Sequence, residues 1–313
     1  MARVNLILWV VFFTAVGVAQ QDSLSKPHFK RYNEKVIFSV YYTDISNSFE
    51  AKLNNSAQAD YFEFIPNKRE QIGVNLSYKF IDVSYGFSPS FFEINKDNKN
   101  SKLFSLSTRF YHKKWMQLLT FINQKGFYVS QGSNELYFER LRTIKIGGTT
   151  SYIFNENFSF RTIANQKEWQ SKSAGSFIPN FSFYYTNFDL NDEDFSDSSD
   201  VYLLSLSPSY FYNWVINDHF LLSGGVILGG GINIVDGDTS SVFEWGTNLK
   251  VGYNSDSFFT FLNFNYADFL QESKASIRLN DEISMLKITA GYRFDPPKKI
   301  KEYYDKTAEK VGL

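Results

Sequence analysis

The chain has 313 residues, of which 19% are aromatic (Phe 33, Tyr 20) and 21% charged, with a formal net charge of -1 and no cysteine. A near-neutral balance with no basic stripe argues against a nucleic-acid partner, and the absence of cysteine rules out a disulfide framework or a lipid-modified cysteine. A mean hydropathy of -0.29 is too low for a bundle of membrane helices but fits a β-barrel, which shows lipid only every second residue.

In chain order, Arg3 precedes an apolar run, Leu6–Val16, and then Gly17-Val18-Ala19 before Gln20. This charged, apolar, small-residue order predicts a signal peptide over 1–19 cleaved after Ala19. The apolar core is shorter than the ~20 residues a spanning helix needs. A polar periplasmic lead is expected over 20–34 and a single β domain over 35–294. Along Ile72–Phe80 apolar and small or polar residues alternate, and the period returns near Val83–Phe87, Phe104–Tyr111, Phe243–Tyr253 and Leu286–Phe294. A two-residue period predicts strands with one apolar face.

Thirteen candidates emerge, over 35–46, 70–80, 81–89, 102–111, 115–124, 142–154, 157–168, 176–188, 201–213, 218–232, 241–254, 257–270 and 283–294. A closed antiparallel barrel with both ends on one side needs an even number. Short turns at 80–82, 112–114, 155–157, 215–218 and 254–257 alternate with long polar links at 47–69, 90–101, 125–141, 189–200, 233–240 and 271–282. The alternation fails only between 157 and 188, so these two candidates merge into one passage interrupted at Gln166–Ser176. The expected fold is an all-β, antiparallel up-and-down transmembrane barrel of about 12 strands, with 14 as the alternative. A soluble β-sandwich could carry the same alternation, but its strands are usually shorter.

The outward face is expected to carry Ile72, Val74, Leu76, Tyr78 and Phe80, then Phe243, Trp245, Leu249, Val251 and Tyr253, then Leu286, Ile288, Tyr292 and Phe294. The opposite steps carry Lys79, Asp82, Glu244, Asn248, Lys250, Lys287 and Arg293. Lys or Arg on the lipid face costs ~2–4 kcal/mol at mid-membrane, so these residues are expected to face the lumen. They fit either a polar network that fills a narrow barrel or a charged solute pathway. In His219–Val235, five glycines favour a barrel strand over a small-residue membrane helix and leave room for a bulky neighbour inside.

Signs of chemistry are sparse. His28 lies in the lead, and His112 and His219 lie at expected periplasmic turns, with no paired ligand spacing. No metal, cofactor or catalytic residue is therefore expected. Asp189–Asp200 is read as a solvated acidic loop, because it lacks the glycine and spacing of a calcium loop. After Asp295-Pro296-Pro297, the spacing of Ile300, Tyr303, Tyr304, Ala308 and Val311 fits a short amphipathic helix in a periplasmic tail over 295–313, with a frayed solvated tail as the alternative.

The segment Gln166–Phe177 (QKEWQSKSAGSF), with Tyr152-Ile153-Phe154-Asn155, Phe158-Ser159 and Gly291-Tyr292-Arg293-Phe294, resembles domain-of-unknown-function family 4421, found in exported proteins of Bacteroidota. The resemblance implies an outer-membrane barrel and supplies no activity. The same segment is where the strand count breaks. Lys167, Glu168 and Lys172 cannot face lipid cheaply. With Arg161, Ser173, Gly175 and Ser176 they are expected to bend into the lumen, as a constriction or as a structural kink. Tyr292-x-Phe294 also looks like the assembly signal of outer-membrane barrels, although it is not at the chain's end and Thr289 stands where glycine is common. The expectation is an outer-membrane barrel without enzymatic role, a narrow channel or a scaffold. Its expected partners are outer-membrane lipid and the assembly machinery, with the solute left open. The alternatives are an outer-membrane lipid hydrolase and a soluble secreted β protein that binds glycan or protein.

Overall fold

A computed structural model describes residues 27–311 apart from 54–59, 68–69, 80, 90, 92–100, 132–133, 165, 190–197 and 273–276. The expected signal peptide, the first part of the lead and most of the expected acidic loop lie outside the described residues.

In chain order the strands are β1 (Phe29–Arg31), β2 (Val36–Leu53), β3 (Asp60–Pro66), β4 (Glu70–Tyr78), β5 (Ile81–Phe87), β6 (Lys102–His112), β7 (Trp115–Gln131) and β8 (Asn134–Tyr152). There follow β9 (Glu168–Gln170), β10 (Ala174–Asp189), β11 (Ser198–Val215), β12 (Phe220–Val235), β13 (Asp238–Asn254), β14 (Phe258–Glu272) and β15 (Ile277–Phe294). Two helices complete the set, α1 (Phe160–Ala164) and α2 (Lys298–Val311). Every neighbouring pair in the main sheet is antiparallel, and β15 returns to β2, which closes the barrel. The wall contains 12 strands: β2, β4 to β8 and β10 to β15. Side chains alternate as the sequence requires. Ser205, Ser207, Ser209 and Asn213 are buried inside, while Tyr202, Leu206, Tyr210 and Trp214 of the same strand are exposed outside.

The wall forks. β4 pairs with the lower part of β2, Ile37 to Asp44, and β3 with its upper part, Phe49 to Leu53. β3 then meets β7 directly at Pro66↔Phe127. The short β5–β6 hairpin fits only below this junction. The barrel therefore has 12 strands at the end carrying β1 and α2 and ten at the other: β2, β3, β7, β8 and β10 to β15. Gly126 (φ 87°) forms a bulge between Lys125 and Phe127. The extra residue shifts the inside-outside alternation by one, which turns Phe127 into the lumen, fully buried.

Several expected loops are strand. The hairpin β7–β8 runs through most of 125–141, and β2 and β3 occupy much of 47–69. The link 233–240 shrinks to Asp236-Gly237, both with positive φ, the pattern of a tight hairpin turn. In these segments apolar and polar residues do not alternate strictly, as over Lys125–Gln131, so no two-residue period marks them as strand. The expected strand at 157–168 is not in the wall. It folds inside the barrel as α1 and the approach to β9, so the merged passage is β10 alone.

Candidate functional site

The lumen has three layers. At the wide end, residues 153–173 form a plug. Ile153, Phe158 and Ile163 pack with Ala174, Ile178 and Phe211 of the wall, and Trp169 packs with Tyr32, Ile37, Leu221, Phe259 and Phe261. β9 pairs with β1, so the lead before the barrel adds a second strand to the plug.

Polar side chains hold the plug to the wall. Lys250 of β13 donates to the carbonyls of Thr162 and Ile163 at 2.7 and 2.9 Å, with its ammonium 3.7 Å from the centre of the Phe261 ring. It thus sits at the C-terminal end of α1, where carbonyls lack helical partners. Arg293 of β15 donates from Nε and Nη2 to the Gln166 carbonyl at 3.2 and 3.0 Å, and from Nη1 to the Ser255 carbonyl at 3.1 Å. Gln166 has φ 62°, a turn that aims this carbonyl at the guanidinium. Asn213 donates to the Ser159 carbonyl and to Gln170 Oε1. Two glycines admit the rings beneath these cations: a Cβ at Gly252 would stand 1.9 Å from Phe261, and one at Gly291 2.2 Å from Phe259.

Within the plug, buried Glu168 accepts from Ser159 at 2.6 Å and from Arg161 at 2.8 Å. Lys167 donates to the Lys79 carbonyl at 2.8 Å, and the Lys172 amide donates to the His28 carbonyl. At the β13–β14 turn, the Lys30 ammonium of β1 donates to Asp256 at 2.6 Å. That bond raises the lysine above its ordinary range and holds the carboxyl below its own.

At the narrow end, Phe49, Phe127, Leu141, Phe188 and Val201 form an apolar layer, joined by Leu203, Val242 and Phe269. Phe49 of β2 meets Phe188 of β10 edge to face at 4.8 Å between ring centres, across the lumen. Beside them Lys145 of β8 bridges to Asp281 of β15 at 2.5 Å, both largely out of solvent.

Between the two closures lies a chamber of about 290 Å³. It borders the β5–β6 hairpin, where two additional strands widen the wall. Ser39, Asn75, Ser77, Ser84, Thr120 and Asn263 give it a polar lining. Its charged lining residues are Asp82, Arg109, Lys250 and Lys287, three cations against one carboxylate.

Glu244, Lys250, Lys287 and Arg293 lie on lumenal faces, and Glu244 accepts from Ser207. Arg161, Lys167 and Glu168 belong to the plug, with Lys172 at its edge. Ser173 accepts from the Val215 amide, and buried Ser176 accepts from the Asn155 amide. Two expectations are corrected. Lys79 is in the β4–β5 turn with φ 52°, where it pairs with Glu34 at 2.5 Å at the barrel rim, because β4 ends one residue earlier. Gly175 points outward, between Tyr210 and Tyr212 of the exposed face, because β10 has already begun at Ala174. Tyr78, expected to face lipid, is covered by Tyr304 of α2 at 5.4 Å. Arg109 was not among the expected site residues, although the alternation over Phe104–Tyr111 places it on the polar face.

A closed barrel with large apolar side chains outside and serine, asparagine and paired charge inside has the polarity of a protein whose solvent is lipid. The chain is an outer-membrane β-barrel with a plugged lumen. The family model for the domain of unknown function DUF4421 matches residues 21–294, and the chain belongs to that family. No curated protein matches it. Among solved structures it is similar to the COG4313 outer membrane channel from Pseudomonas putida F1 at 10% identity and TM-score 0.38, covering 88% of this chain and 100% of that one. It is also similar to a bacterial polysaccharide outer membrane secretin (10%, TM-score 0.38, 85% and 100%) and to the beta domain of the Bordetella autotransporter BrkA (9%, TM-score 0.37, 83% and 99%). At these scores the likeness carries no functional information.

Proposed function

We propose that this protein is a gated channel, closed in the state described, whose gates are the plug over 153–173 at the wide end and the apolar layer around Phe49 and Phe188 at the narrow end. The observation that supports this reading is the polar chamber between two closures. A barrel serving only as a scaffold has no use for an interior cavity, and close packing normally fills such space. The plug is seated by hydrogen bonds to the wall at Lys250, Arg293 and Asn213, contacts that can break without opening the sheet. Outer-membrane lipid covers the exposed face in this proposal, and the strand ending Tyr292-Arg293-Phe294 is what the assembly machinery engages.

The proposal includes no enzymatic role. In this proposal the end that carries His112 and His219, at the close of β6 and in the β11–β12 turn, faces the periplasm, away from the outer rim where a lipid hydrolase would need a histidine beside a serine. Planar-bilayer recording tests the channel. The parent protein is expected to be silent, and Lys250→Met with Arg293→Met, combined with Phe49→Ala and Phe188→Ala to clear the narrow end, to give discrete conductance steps. A combined variant that keeps the mobility shift of a folded barrel on unheated gels yet stays silent would leave the scaffold reading in its place.

A further inference from the structure

Arg109 of β6 and Lys287 of β15 both line the chamber, yet neither has a hydrogen-bond or ion-pair partner among the described residues. Arg109 Nε is buried without an acceptor. The Lys287 ammonium rests 3.7 Å from the centre of the Tyr41 ring, a contact that uses its charge but none of its N–H donors. The other lumenal cations differ. Lys145 has Asp281, Lys250 has the α1 carbonyls, and Arg293 has Gln166 and Ser255. Cations held away from bulk water are normally paired, because an unpaired one forfeits its hydration. The surrounding walls add neutral donors, from Ser39, Ser107, Thr120 and Asn263.

We propose that the chamber binds a small organic anion, with the Arg109 guanidinium and the Lys287 ammonium converging on one carboxylate or phosphate group. A guanidinium offers a planar fork of donors and an ammonium a compact charge, the pairing that suits either oxyanion. The three-to-one excess of cations around the chamber favours a net negative ligand, and Asp82 on the same wall limits how much negative charge is accepted. A volume near 290 Å³ sets the size at a small solute. The inference deepens the channel reading by naming the class of solute and rests on the chamber that reading uses, but it can be tested without any conductance.

The full chain is refolded in detergent with radiolabelled inorganic phosphate or succinate present, so that a seated plug cannot bar entry, and bound label is measured by equilibrium dialysis. Saturable binding is expected, with neutral glycerol failing to compete and affinity falling at least about tenfold, the loss of one charge-assisted contact, in Arg109→Gln and in Lys287→Met. Lys113→Gln, in the β6–β7 turn, should bind as the parent does. The gel-mobility shift certifies that each variant is a folded barrel. Binding that is absent in the folded parent, or equal in parent and both variants, overturns the anion site even if the channel conducts. Binding lost in both variants supports the site even if the channel proves silent.

Discussion

Lys250 offers the sharpest test of how the plug is held. Its ammonium supplies two hydrogen bonds, to Thr162 and Ile163, from a position 1% exposed. Lys250→Met keeps the length of the stem and its packing on Phe261 while removing both donors. A hydrogen bond to a charged group contributes ~1.5–3 kcal/mol, and a stranded buried carbonyl costs ~1–3 kcal/mol. Relief of the desolvated charge offsets part of this, leaving about 3 kcal/mol lost from plug seating. At 1.4 kcal/mol per factor of ten, the population with the plug unseated should rise on the order of a hundredfold. Cleavage of a transiently opened segment follows that population when reclosing is fast. Trypsin should therefore cut the variant after Arg161, Lys167 or Lys172 on the order of a hundred times faster than the parent, splitting the chain near its middle, while the barrel keeps its gel-mobility shift. An unchanged cleavage rate in a folded variant would show that these bonds do not hold the plug.

Two further outcomes are expected. Gly252→Val places a branched side chain where the Phe261 ring now lies; overpacking of this kind costs ~1–3 kcal/mol, so the temperature at which the barrel loses its compact gel form should fall, and a variant as heat-stable as the parent would contradict the packing at Trp169 and Phe261. For the lumenal pair, Lys145→Met or Asp281→Leu alone should destabilise the barrel by about 3–5 kcal/mol by stranding a charge, and the double replacement by much less; additive losses in urea titrations would show that the two groups do not interact.

The transmembrane wall was legible because lipid on one side and polar filling on the other impose a strict period of two, as in Phe243–Tyr253 and Leu286–Phe294. The plug was not readable as structure for the opposite reason. A segment packed inside the barrel, such as Phe158–Ile163, mixes apolar and polar residues without a repeat. Its presence still showed as the place where turns and loops ceased to alternate. Lys79 and Gly175 were misplaced because a period carried past a strand end, or a segment treated as one unit, cannot register where a turn or strand begins. The fork at Gly126 also left no periodic trace, because the alternation is already weak over Lys125–Gln131 and one inserted residue shifts the phase of what remains.

The seam between β2 and β15 bears on the route by which the plug can move. It pairs every residue of Val36–Leu53 with a partner in Ile277–Phe294, joining the first and last strands of the wall in one uninterrupted ladder. The plug belongs to the middle of the chain and has wall strands on both sides of it in sequence. Once that ladder is zipped, Trp169 and α1 have no lateral route to their seats among Phe259, Phe261 and Phe211. The plug can therefore leave or regain its seat only along the barrel axis, through the wide end, with every rung of the seam intact.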